Sequence, residues 1–209
     1  MSLIEEPALK EIILATRNRH KAEELAALLG DLGIHIRTLA DFPAVPEVEE
    51  DGATCEANAI KKATTIAHAT GMTAVADDTG LEVDALGGRP GVFAARYAGE
   101  GATYEDNCRK LLHELAGVPM FKRTARFLTV AAIAFPNGDV YTTEGHLDGL
   151  ITEAAIGDRG FGYDPVFLVP ELGKTLAELT SREKNFISHR AQAFAKIQEI
   201  LCGHLVNVK

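Results

Sequence analysis

The stretch Ala74-Val75-Ala76-Asp77-Asp78-Thr79-Gly80-Leu81 constrains this chain more than any other. A short apolar run meets two adjacent carboxylates, a hydroxyl and a glycine, the pattern of a buried strand that stops at a turn. In α/β proteins ligands bind beyond the carboxyl ends of strands, which puts these acids where chemistry is usual. Adjacent carboxylates repel each other unless protons or a cation neutralise them. On this stretch alone two readings stay open. One is a solvated turn with an Asp cap. The other is a site for a hard divalent cation, Mg²⁺ where phosphates share the coordination.

The rest of the chain bounds the choice. Its 209 residues fit one domain, or one domain with two lobes. A net charge of -9 argues against non-specific binding to nucleic acid. It leaves room for a small polyanion, because local lysines and a metal can make a positive cleft in an acidic protein. The three cysteines, Cys55, Cys108 and Cys202, are odd in number and show no CxxC spacing, so neither a disulfide framework nor a zinc site is expected. A reducing cytoplasm is the expected compartment. The longest apolar stretch, Leu128 to Phe135, is too short to span a bilayer, and no membrane partner is expected. Residues 1–10 read as a loose leader and residues 11–209 as a single domain.

Glu11 to Ala15 reads as a buried strand that runs into a polar, basic loop, Thr16-Arg17-Asn18-Arg19-His20-Lys21. A helix follows over residues 22–29, with Leu25, Leu28 and Leu29 on one face and Gly30 as its stop. Backbone N–H groups at a helix start attract phosphate, and Thr16, Asn18 and Lys21 add donors. The same stretch also reads as a capped helix start with basic residues in water. Ile34 to Arg37 alternates like a strand, and an acidic, Pro-rich loop with Glu49, Glu50 and Gly52 leads to a helix over 54–70. Thr54 is its expected cap, and Ala57, Ile60, Ala63 or Thr64, and Ala67 stand at helical spacing. Lys61 on this helix reads as a surface lysine from spacing alone.

The strand Thr73 to Ala76 then delivers Asp77 and Asp78 to the expected turn. Thr103 and Asp106 form a capping-box pattern for a helix with Leu111, Leu112 and Leu115 on its buried face. Residues 126–135 and 139–151 read as strands joined by Pro136-Asn137-Gly138, a strong hairpin signal. A Gly-rich loop, residues 157–165, carries Phe161, Tyr163 and Asp164. Ser188 is the expected cap of a last helix whose first turn holds His189 and Arg190. Cations there oppose the helix dipole and call for an anion or another compensating partner.

Familiar phosphate motifs fail. Gly173-Lys174-Thr175 ends like a P-loop, but Leu168 stands where its first glycine belongs. Gly160-Phe161-Gly162-Tyr163-Asp164-Pro165 begins like a dinucleotide fingerprint, but Pro165 takes the place of the last glycine.

Five motifs in order nevertheless match one family: Thr16-x-Asn18-x-x-Lys21; Glu50-x-Gly52-x-Thr54-x-Glu56-x-Asn58-Ala59; Ala76-Asp77-Asp78-Thr79-Gly80-Leu81; Gly160 to Pro165; and Ser188-His189-Arg190. Over residues 11–201 the chain resembles the inosine triphosphate pyrophosphatases, or Ham1 proteins. Thr79 stands where bacterial members commonly have Ser, and Cys55 where an aromatic is frequent.

The resemblance implies an α/β fold of two lobes around a long mixed β-sheet with helices about it, and a cleft between the lobes. It implies a homodimer that hydrolyses ITP, dITP and XTP to monophosphate and pyrophosphate with Mg²⁺. Asp78 would be the proton acceptor, helped by Asp77, and Asp78 with Glu49 or Glu50 would bind the metal. The stretch Thr16, Arg17, Asn18, Arg19, His20 and Lys21, together with Lys61 and Thr79, would hold the phosphate end. Phe161, Gly162, Tyr163, Asp164, Lys184, His189 and Arg190 would select the base. Two competing readings are a Maf-like pyrophosphatase acting on pyrimidine or modified nucleotides, and a nucleotide-binding regulator without turnover.

Overall fold

The computed structural model describes residues 11–206; the leader expected at residues 1–10 lies outside them. Strand β1 is Glu11–Leu14, followed by helix α1, Arg19–Leu29, and strand β2, His35–Thr38. Helix α2 is Cys55–Thr70 and strand β3 is Ala74–Val83. The two-residue strand β4, Pro90–Gly91, precedes helix α3, Tyr104–Glu114. Strands β5, Thr124–Ala134, and β6, Val140–Ile151, form the hairpin. Short strands β7, Phe167–Val169, and β8, Lys174–Thr175, lead to helices α4, Ser181–Ile187, and α5, His189–Val206. The strands form one mixed sheet in the order β2-β1-β3-β5-β6-β7-β8, with β4 paired to β3. β1 runs parallel to β2 and β3, whereas β3–β4, β6–β7 and β7–β8 are antiparallel. This is the long mixed sheet of an α/β fold that the motifs implied.

Local signals hold where a side chain supplies the missing backbone partner. Thr54 caps α2 by accepting from the Ala57 N–H. Thr103 and Asp106 close both halves of their capping box on α3. Ser188 Oγ accepts from the Ala191 N–H, as expected for the start of α5. The turn at Asn137-Gly138 is closed by Gly138 N–H to the Phe135 carbonyl, with Gly138 at φ 97°.

Three expectations are corrected. α1 begins at Arg19 rather than Ala22, because Asn18 Oδ1 accepts from the Lys21 N–H and caps the helix three residues earlier. α4 was not expected; Thr180 and Glu183 close a capping box that starts it. The third correction concerns the acid pair. β3 does not stop at Ala76 but runs through Asp77 and Asp78 to Val83. β1 accompanies it as far as Val75 and β4 takes up pairing at Leu81, so the acids lie between those two stretches of pairing.

The described residues form two compact units: residues 11–77, 130–143 and 192–206, and residues 78–129 and 144–191. In the first, Ile12, Leu14, Leu25, Leu29, Val75, Ile133, Phe194 and Ile197 form a closed core. In the second, Leu81, Val83, Leu111, Leu115, Phe127, Val166 and Phe167 do so. β3 passes from one unit to the other between Asp77 and Asp78.

Candidate active site

In the first unit, four charged side chains converge at the acid end of β3. Lys21, in the first turn of α1, brings its Nζ to 3.2 Å from Asp77 Oδ2. Lys62, on α2, donates at 2.6 Å to the Asp77 carbonyl and at 2.5 Å to Glu50 Oε1. Lys62 is 8% exposed and Asp77 1%. Two ammonium groups and two carboxylates thus share one small region, with α1 starting beside it. The loop that delivers Glu50 is shaped by Gly52. Its N–H donates to Asn58 Oδ1 at 2.8 Å, and a Cβ on Gly52 would sit 2.6 Å from that same oxygen. This accounts for the Gly52 and Asn58 positions of the motif.

Arg17, Arg19 and Lys61 of the expected phosphate set have other partners in this structure. Arg17 donates to the Val45 carbonyl at 2.6 Å. Arg19 pairs with Glu23 on the surface, and His20 is exposed. Lys61 pairs with Asp51 at 2.6 Å, and its hydrogen bond holds the Asp51 carboxyl below the usual carboxylate range. Thr16 Oγ1 accepts from the Asn18 N–H.

Sequence reasoning missed Lys62. The signal lay in the α2 face: Cys55, Asn58, Ala59, Lys62, Ala63, Ile66 and Ala67 are the buried stripe, whereas Ala57 is exposed. A lysine spaced with that stripe is turned inward, and one residue earlier it is not.

Asp77 and Asp78 are strand neighbours, so their side chains project to opposite faces of β3 rather than crowding one turn. The Asp77 carboxylate is answered by Lys21. Asp78 is 5% exposed, and no solvated turn surrounds the pair. Glu49 is exposed and Glu50 half-buried. Among the described residues no three acidic, histidine or cysteine side chains gather as a metal-holding group. Mg²⁺ needs only one or two carboxylates when substrate phosphates and water complete its shell, so this hard, all-oxygen donor set fits it.

In the second unit the base-loop residues converge. Lys184 Nζ lies 2.6 Å from Asp164 Oδ2, and both side chains are almost wholly buried. The same carboxylate oxygen accepts from the Phe161 N–H at 2.8 Å. Gly160 has φ 73°, and a Cβ there would strike Asp164 Oδ2 at 2.0 Å, so glycine is required. The Phe161 ring has Lys184 Nζ 4.8 Å and the Arg190 guanidinium 5.4 Å from its centroid. Arg190 also donates to Thr79 Oγ1 at 3.2 Å, and Thr79 shares a 2.7 Å hydrogen bond with buried Thr129. His189 stacks on Phe127 at 4.5 Å. Tyr163 turns inward and donates to the Ala94 carbonyl, which makes it a support of the loop. Aromatic rings and a hydroxyl are thus among the partners that the cations at the start of α5 meet in this structure.

A sequence model of the Ham1 family matches residues 12–200. A protein of Geobacillus kaustophilus named dITP/XTP pyrophosphatase is 51% identical over 191 residues, which cover 91% of this chain and 94% of that protein. A protein of the same name from Geobacter sulfurreducens is 50% identical over 190 residues, 91% of this chain and 96% of its own. Among solved structures, the Ham1 protein of Staphylococcus aureus superposes with a TM-score of 0.82 at 40% identity, covering 93% of this chain and 99% of its own. A HAM1 protein from Coxiella burnetii superposes with a TM-score of 0.83 at 42% identity, covering 92% and 98%.

Proposed function

The chain belongs to the Ham1 family, and from that premise we propose that it hydrolyses deaminated purine nucleoside triphosphates, dITP, XTP and ITP, to monophosphate and pyrophosphate. The observation that carries this reading is the convergence of Lys21, Lys62 and Glu50 on the acid end of β3. Cations there suit a phosphate chain, and carboxylates suit a metal and a proton acceptor. Asp78 and Glu50 would hold Mg²⁺, which supplies charge neutralisation on the phosphates when bound.

The chain's own groups do the remaining work. Lys21 and Lys62 bind phosphate oxygens, and the capped start of α1 turns its N–H groups toward the same charge. Asp78 takes the proton of the water that attacks the α-phosphorus, and pyrophosphate leaves. Phe161 stacks on the base. Arg190 and His189 donate toward the C6 carbonyl of hypoxanthine or xanthine, where adenine carries a donor of its own. A mismatch that leaves buried polar groups without partners discriminates strongly. The resemblance adds that the working form is a homodimer, each chain one domain of two lobes, and the odd cysteine count without CxxC spacing supports a reducing cytoplasm as its compartment.

Pyrophosphate release across dITP, XTP, ITP, ATP, GTP, dUTP and dTTP with Mg²⁺ tests this. The expected result is a kcat/KM for the first three that exceeds the ATP and GTP values by roughly 10²-fold or more. A preference for dUTP or dTTP would favour the Maf-like reading. Binding without release would favour the regulator.

Arg190→Ala tests the base contact. It is expected to raise KM for ITP roughly tenfold, the worth of one hydrogen bond to a charged donor. Unchanged ITP kinetics in a folded variant would remove Arg190 from base recognition.

A further inference from the structure

The Phe161 loop belongs to no regular element, so something else must fix it. It has its own tie, Phe161 N–H to Asp164. Helix α3 supplies the others. Tyr104, Asn107 and Cys108 are spaced three and four residues apart and therefore stack along one side of that helix.

The Tyr104 ring lies 5.8 Å from the Phe161 ring, tilted by 43°. Cys108 donates its S–H to the Gly162 carbonyl at 3.3 Å. Burial pushes the Cys108 thiol up to about 11, so it stays protonated and a donor at neutral pH. Asn107 donates to the Ala95 carbonyl at 3.0 Å and accepts from the Ala98 N–H at 2.7 Å. Asn107 thereby pins the segment whose Ala94 carbonyl receives the Tyr163 hydroxyl. Two residues of α3 thus touch the Phe161-Gly162 pair directly, and a third acts through one intermediate.

Core packing alone does not account for this arrangement. Tyr104 is 37% exposed, so its ring is not needed to close the core, and yet it is set against Phe161.

From these contacts we infer that Tyr104 and Cys108 are positioning residues that set the Phe161-Gly162 peptide, and with it the ring on which the base stacks. The inference rests on the proposed function only for what stacks there. A loop released from α3 carries Phe161 out of register with Lys184 and Arg190. The phosphate-end groups Lys21, Lys62 and Glu50 are untouched by that change. The effect therefore falls on KM and leaves kcat close to wild type.

Four variants test the inference: Tyr104→Ala, Tyr104→Phe, Cys108→Ala and Cys108→Ser. Hydrogen exchange at the amides of residues 161–164 is read in the nucleotide-free protein, and steady-state kinetics with dITP in parallel. In Tyr104→Ala and Cys108→Ala, exchange is expected to be roughly fivefold faster. KM for dITP is expected to rise roughly three- to tenfold, the worth of an aromatic pair or one hydrogen bond. Tyr104→Phe keeps the ring and Cys108→Ser keeps a donor, so both are expected to restore wild-type values. Tyr104 is a surface residue, so its alanine variant decides the matter even where Cys108→Ala unfolds. Wild-type exchange and wild-type KM in Tyr104→Ala would overturn the inference. A wild-type protein that releases pyrophosphate from no nucleotide would overturn the proposed function instead, and the exchange measurement would still decide whether α3 holds the loop.

Discussion

Asp78→Asn is expected to fold like the wild type and to lose pyrophosphate release by roughly 10²- to 10⁴-fold, the usual worth of a positioned general base. The substitution keeps the shape of the side chain and every backbone hydrogen bond of β3. It removes one negative charge and the ability to accept a proton. The charge it removes is 5% exposed, and a neutral amide of the same shape is cheaper to bury than a carboxylate. Pyrophosphate release from dITP and a thermal melt are read side by side. A normal melt with activity lost supports the assignment; retention of more than a few per cent of turnover would sink it. Asp77 serves as the internal contrast. Its carboxylate is engaged by Lys21 at 3.2 Å, and under the proposed reaction it would hold that ammonium in place beside the phosphate chain.

The residues that were legible in the sequence are those whose role is written in short-range chemistry. Thr54, Thr103 with Asp106, and Ser188 each stand one turn before a run at helical spacing, and each caps the helix expected of it. Asn137-Gly138 names its own turn. The acid pair stands out in the sequence as a candidate, but its backbone is not legible there. Acids followed by Gly look like a turn, and only the neighbouring strands decide that β3 continues through them. Lys62 was hidden for a related reason. Its helix buries Asn58 and Lys62 along with alanines, so apolar spacing alone does not mark Lys62 as buried; it leaves Lys61 a surface lysine, and the resemblance puts Lys61 forward. The charge of Lys62 is answered by Glu50, twelve residues away, and by a strand carbonyl, fifteen away. No local pattern records such a partner. The basic helix start suggests that Arg17 and Arg19 converge with Lys21; in this structure Arg17 donates to the Val45 carbonyl, a partner no local pattern records, and Arg19 pairs with Glu23.

Asp164→Asn is expected to lower the melting temperature by roughly 10 °C, since breaking a buried ion pair costs about 3–5 kcal/mol and 1 kcal/mol is worth about 2–4 °C in a chain of this size. The pair is Lys184 Nζ to Asp164 Oδ2 at 2.6 Å, with side chains 6% and 4% exposed. Removing the carboxylate's charge leaves the ammonium inside with its closest counter-charge gone and less of its desolvation cost offset. The second variant, Asp164→Asn with Lys184→Met, removes both charges and is expected to recover most of the melting temperature, because a buried pair replaced by neutral groups is often no less stable. Kinetics separate this stability from function. Asp164 also accepts from the Phe161 N–H, and Lys184 lies over the Phe161 ring, so the double variant keeps its fold and still has a raised KM for dITP. A single variant that melts within a degree or two of wild type would show that the pair contributes little to folding. A double variant with wild-type KM would remove the pair from the base site and leave it a support of the fold.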